Sequence, residues 1–287
     1  MSHPTKPARR SLRCDLFLGL SLVVALAVSL GLTVAPADAR VADRDLYAAG
    51  ARSADGPAAG KRLSGRIVVL DPGHQLGNHN FPDQINRLVP AGGFKKACNT
   101  TGTATDGGYP EATFTFEVSR LLRKRLEAAG ADVIMTRKTN SEKRWGPCIN
   151  VRGRAGNKAG PDHTGADLKI SIHGDGNIGG GPGFHVIAPT DRKPWTHDIY
   201  KPSRRLAKVV RHKLHQGAHL PYAGYIAGGD GLDFRSDLGT LNLSDIPTVM
   251  VEMGNMRSAA DAHRMTTVKG RKVYARALFR AIRAYLA

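Results

Sequence analysis

Histidines and carboxylates stand where apolar runs of this sequence end. His74 follows Ile67-Val68-Val69-Leu70 across Asp71-Pro72-Gly73, His173 closes Ile170-Ser171-Ile172, Glu252 closes Val249-Met250-Val251, and Glu111 follows Tyr109-Pro110. Two imidazoles and a carboxylate can hold zinc in three positions and leave a fourth for water. A further carboxylate beside that water can act as general base. Each residue also has a plainer reading. A single histidine after a strand is more often structural or solvated, an acid in a helix's first turn is favoured by the helix dipole, and a glutamate at a strand end is often simply solvated. Glu117 competes with Glu111, and among 11 histidines a zinc set can also be drawn on paper from His79, His163, His185 or His197. Recurrence favours the strand-end set: Gly73, Gly174 and Gly254 stand beside its members and leave space for a ligand. No serine or cysteine nucleophile setting is evident.

The elements that must position these residues follow from periodicity. Residues 66–70 are a short β-branched run bounded by Gly65 and Asp71-Pro72-Gly73, which predicts a buried strand. Residues 75–108, rich in Gly, Asn and Thr, read as a long irregular excursion, and a loop of that length is usually functional. Pro110 in the first turn and apolar residues Phe114, Val118, Leu121, Leu122 and Leu126 predict a helix closed by Gly130. Further strands are expected at 131–137, 167–173, 183–187 and 247–252, and helices at 151–159, 203–215 and 267–286. Strands alternating with helices imply a single α/β domain with a central, mainly parallel sheet flanked by helices. In such sheets, sites form beyond the carboxyl ends of the strands, where His74, His173 and Glu252 stand, while Glu111 opens the first long helix.

Charge and the N-terminus bound the partners. Of 287 residues, 42 are Lys or Arg and 24 Asp or Glu, a formal net charge of +18 that favours a polyanionic partner. Residues 1–13 carry Lys6, Arg9, Arg10 and Arg13 without an acid, an apolar run spans 16–35, and Ala37-Asp38-Ala39 is a small-x-small cleavage pattern. This is the pattern of a secretory signal peptide over 1–39, although an apolar run of about 20 residues is also long enough to anchor in a bilayer. Export makes nucleic acid an unexpected partner and an anionic envelope polymer the better counter-charge. It predicts secretion to the periplasm or cell wall, with no stable membrane span after cleavage. Residues 40–64 read as a linker or N-terminal arm and 65–287 as the catalytic domain. Cys98 and Cys148 remain after cleavage, and an oxidising compartment predicts their disulfide rather than two separate buried thiols.

Val68-Val69-Leu70-Asp71-Pro72-Gly73-His74, Ser171-Ile172-His173 and Val249-Met250-Val251-Glu252-Met253-Gly254-Asn255, in this order, resemble the zinc-dependent N-acetylmuramoyl-L-alanine amidases of the third amidase family. The resemblance covers nearly all of 64–287. It implies a twisted α/β sheet and hydrolysis of the amide between N-acetylmuramic acid and L-alanine of the peptidoglycan stem peptide. By the same resemblance His74, Glu111 and His173 are the Zn2+ ligands and Glu252 the catalytic carboxylate. Gln75-Leu76-Gly77-Asn78, Gly174-Asp175 and Asn255 depart from the family's usual residues and alter the lining of the cleft. The implied partners are peptidoglycan or muropeptide fragments, with anionic envelope polymers beside them. A zinc peptidase acting within the stem peptide and a non-catalytic envelope-binding protein are the alternatives.

Overall fold

The computed structural model describes residues 62–158 and 165–287. The expected signal peptide, most of the expected N-terminal arm and His163 lie outside the described residues. In chain order the elements are β1 (Ile67–Pro72), a 3₁₀ turn (Leu76–Asn80), α1 (Pro82–Asn86), β2 (Leu88–Pro90), β3 (Lys95–Ala97), α2 (Glu111–Ala128), β4 (Asp132–Met135) and α3 (Ile149–Arg154). There follow β5 (Leu168–Asp175), β6 (His185–Pro189), α4 (Tyr200–Ala218), β7 (Leu232–Arg235), α5 (Gly239–Asn242), β8 (Thr248–Asn255), α6 (Ala259–Thr266) and α7 (Val268–Leu286).

Six strands form one sheet in the order β4-β1-β5-β8-β6-β7. β4, β1, β5 and β8 run parallel. β6 turns antiparallel to β8 and carries β7 parallel to itself. The expected mainly parallel α/β sheet is therefore present. Alternation along β1 divides its side chains between two layers. Val68 and Leu70 enter the main core with α2, α4 and α7, while Val69 packs with Ala166 and Ile246 on the other side.

The segment 75–108 is more ordered than its composition suggests: it contains the 3₁₀ turn, α1 and the antiparallel β2–β3 hairpin. Pairing across a sheet edge does not show in the local period of a three-residue strand. β7, α5 and α6 are likewise too short or too weakly periodic to have been read from sequence. α3 begins two residues before the expected helix, and β6 is displaced two residues beyond the expected strand. Cys98 and Cys148 form a disulfide with Cα atoms 4.3 Å apart, tying the end of the hairpin to the start of α3. No described helix is long and apolar enough to cross a membrane.

Candidate metal centre

His74, Glu111 and His173 come together at the carboxyl edge of the sheet, and one ligand atom from each lies within 4.8 Å of the others. His74 sits just past β1 and has a left-handed backbone, φ 57°. That conformation is costly for a residue with a Cβ. It is held by guanidinium groups on the carbonyls of the turn. Arg137 donates from Nε to Pro72 O at 3.1 Å and from Nη2 to Gly73 O at 3.1 Å. Arg152 donates from Nη1 to Pro72 O and from Nη2 to His74 O, both at 2.7 Å. Arg137 Nη2 also donates to Ala112 O at 2.7 Å, so one buried side chain links the turn of His74 to the first turn of α2.

Glu111 is the first residue of α2 and is 3% exposed. Its Oε1 accepts from Gly174 N at 3.1 Å and its Oε2 from Thr103 N at 3.0 Å. The same oxygens lie 3.0 Å from His173 Nδ1 and 3.1 Å from His74 Nε2. Burial alone would raise the Glu111 carboxyl, but the two imidazoles hold it well below the usual carboxylate range. His74 Nδ1 lies 3.0 Å from Thr100 O. A neutral imidazole has one proton and cannot donate to both the Thr100 carbonyl and the Glu111 carboxylate. A proton on Nδ1 leaves the Nε2 lone pair facing a carboxylate oxygen, an arrangement completed by a cation between them. Burial lowers the His74 pKa, and the Glu111 carboxylate outweighs it and raises the group above its ordinary value. Glycines close the cradle: a Cβ at Gly73 would overlap the His173 ring, and one at Gly102 would come within 2.8 Å of Glu111 Oε2.

Glu252 stands opposite His173 in the β5–β8 register and opposite His185 in the β6–β8 register. Its Oε2 is buried without a hydrogen-bond partner. Burial, then the charges of Glu111 and Asp175, raise its pKa well above the ordinary value against the pull of Arg235. All four carboxyl-edge residues line one cleft of about 370 Å³, together with Lys96, Asp175 and Arg152.

The wall of the cleft contains a buried ion pair that sequence reasoning missed. Arg152 Nη1 lies 2.6 Å from Asp71 Oδ1, and Asp71 Oδ2 accepts from Ser171 Oγ at 2.7 Å. Burial raises the Asp71 carboxyl, but Arg152, Ser171 and Thr136 together hold it well below the usual carboxylate range. Lys169, wholly buried in β5, donates to Arg152 O at 3.2 Å and caps the end of α3; burial lowers its pKa to about 8. Nothing in the basic run 152–158 distinguishes Arg152 from a solvated arginine, since its partner is 81 residues away. Among the described residues, the other candidate histidines do not join the centre. His79 pairs with Glu142, and His197 with Asp191, both at the surface. His185 is buried on β6, outside the group of converging ligand atoms. Glu117 pairs with Arg120 on the outer side of α2.

Residues 68–284 match the family described as N-acetylmuramoyl-L-alanine amidase. The N-acetylmuramoyl-L-alanine amidase Rv3717 of Mycobacterium tuberculosis is 39% identical over 228 residues, 78% of this chain and 88% of that protein. The crystal structure of the apo N-acetylmuramyl-L-alanine amidase Ami1 from Mycobacterium abscessus superposes with a TM-score of 0.69 at 43% identity, covering 78% of this chain and all of that one. Ami1 from Mycobacterium smegmatis gives 0.68 at 37% identity, with 78% and 98% covered. A family match over residues 68–284, together with a relative 39% identical over 228 residues, shows that the chain belongs to the N-acetylmuramoyl-L-alanine amidase family.

Proposed function

We propose that this protein is an exported, zinc-dependent peptidoglycan amidase that hydrolyses the amide between N-acetylmuramic acid and L-alanine of the stem peptide. The observation that carries the reading is the convergence of His74, Glu111 and His173 beside the unpartnered carboxyl oxygen of Glu252 in one cleft. Two imidazoles and one carboxylate are a donor set suited to zinc. When bound, zinc supplies a Lewis acid that activates water at neutral pH and polarises the scissile carbonyl.

The chain's own residues do the rest. His74 is aimed by the Thr100 carbonyl on its Nδ1, and its left-handed backbone is fixed by Arg137 and Arg152. Glu111 is aimed by two backbone N–H groups. Glu252 is destabilised as an anion by burial and neighbouring carboxylates, which makes it a stronger base. It takes the proton of the attacking water and returns it to the amine of the departing stem peptide. Each proton lost by water is thereby delivered to the leaving group, and no covalent enzyme intermediate is required.

Product analysis tests the reading. Purified protein should release, from muramyl peptides, a peptide with a free L-alanine amine, and chelator should abolish the release. Cleavage elsewhere in the stem would remove the amidase assignment and leave a zinc peptidase.

A further inference from the structure

Helices α4 and α7 pack side by side on the sheet face that holds the main core. Each carries six Lys or Arg and no acid. On α7, Lys269, Lys272, Arg276, Arg280 and Arg283 recur at steps of three and four, so they form one stripe about 21 Å long at 1.5 Å per residue. The first four are exposed and Arg283 is half-buried. On α4, Lys201, Arg204, Lys208 and Arg211 form a second stripe by the same spacing. Like charges at these steps repel. Among the described residues, no Lys or Arg of either helix is ion-paired with a carboxylate. A pocket between the two helices is lined by Arg62, Lys213, Arg280 and Arg283, with the terminal residue Ala287 and no Asp or Glu side chain.

Helix α7 starts near the edge of the sheet that carries Glu111 and runs away from it towards the amino end of β1. Near its start, the Arg271 guanidinium lies 5.8 Å over the ring of Tyr109, two residues before Glu111. At its end, Leu286 O accepts from Arg66 Nη2 at the amino end of β1. Cations spaced about 5–6 Å apart along a helix, without convergence on one point, suit a repeating chain of negative groups better than a single small anion. A bilayer surface fits less well. Membrane-lying helices insert their apolar faces, and here those faces, with Leu206, Val210, Leu278 and Ile282 fully buried, form the protein core.

We propose that the α4–α7 face binds an extended polyanionic wall polymer, one that repeats a phosphate or carboxylate along its length, and so holds the enzyme on its insoluble substrate. The wall as the source of that polymer rests on the amidase reading; the binding surface itself does not. In the full chain, K208Q, K272Q, R276Q and R280Q combined remove four exposed charges, whereas R276K with R280K keeps the charge. Linear inorganic polyphosphate is the probe, titrated calorimetrically, with a soluble muropeptide as a parallel cleavage assay.

The parent should bind polyphosphate with an affinity that falls from 0.1 M to 1 M salt, as the Debye length shrinks from ~10 Å to ~3 Å. The fourfold variant should bind at least about tenfold more weakly and cleave the muropeptide at the parent's rate, and the charge-keeping variant should bind like the parent. Equal affinity of parent and fourfold variant, or affinity indifferent to salt, overturns the proposal. Binding to phosphatidylglycerol vesicles without binding to polyphosphate overturns it in favour of a membrane surface. A parent unable to cleave any muropeptide would overturn the amidase reading instead, and the polyphosphate affinities would still decide the surface.

Discussion

Arg152 donates from Nη2 to the backbone carbonyl of His74 at 2.7 Å while its Nη1 engages Asp71 at 2.6 Å. A planar guanidinium fork makes both contacts at once, and a lysine ammonium cannot reproduce that geometry. Arg152 is therefore a positioning residue: it fixes the left-handed turn that aims one imidazole of the candidate metal centre.

Arg152→Lys should weaken zinc binding about 10–100-fold, the usual cost of losing a group that orients a ligand. Competition with a fluorescent chelator measures this directly. An affinity equal to that of the parent would remove Arg152 from the support of the centre.

Ligand and acid should fail differently. His74→Ala or His173→Ala should lower zinc occupancy together with activity. Glu252→Gln keeps the size of the side chain but removes its basic oxygen. It should retain zinc and lose about 10²–10⁴-fold in rate. Metal analysis beside initial rates separates the two classes. Full activity in Glu252→Gln would shift the proton carrier to another cleft residue, with Asp175 the first to try.

The Asp71–Arg152 pair gives stability a defined pH dependence. Because the folded Asp71 carboxyl is held below its ordinary value, its contribution is complete above the unfolded value of about 3.9 and is lost as pH falls through the folded one. Asp71→Asn leaves the Arg152 charge buried without its partner and should cost about 3–5 kcal/mol at neutral pH. The gap in unfolding free energy between parent and variant should narrow on acidification below about pH 4. A gap that widened towards acid would contradict the assignment.

The Cys98–Cys148 disulfide closes a separation of 50 residues. Its loss should cost about 4 kcal/mol in the chain-entropy model. Thr100, whose carbonyl faces His74 Nδ1, stands two residues after Cys98, so reduction should also loosen that ligand. Thermal unfolding and zinc affinity of C98S/C148S test both effects; unchanged values would make the bridge incidental.

Export predicts a mature N-terminus at Arg40, after Ala37-Asp38-Ala39. N-terminal sequencing of the protein recovered outside the cell reads it. A membrane-retained chain starting at Met1 would mean that the apolar run anchors instead.

What local sequence determined were the features written in short range. β-branched runs leading to Asp-Pro-Gly-His, Ser-Ile-His and Val-Glu specify strands β1, β5 and β8 and put the candidate site groups in or just past their carboxyl halves. A proline followed by apolar residues at helical spacing specifies α2 and puts Glu111 in its first turn. Two cysteines outside the expected signal segment, Cys98 and Cys148, specify a bridge. The tertiary structure alone decided what depends on groups distant in the chain. The β2–β3 hairpin has too few residues to show a period, and the reversal of β6 and β7 against the rest of the sheet has no local signature. Nothing local marks Arg137 or Arg152, and only folding buries them against carbonyls 64 and 78 residues away. The raised pKa of Glu252 has the same origin: its carboxyl is ordinary in the chain and is pushed up only where burial, Glu111 and Asp175 surround it.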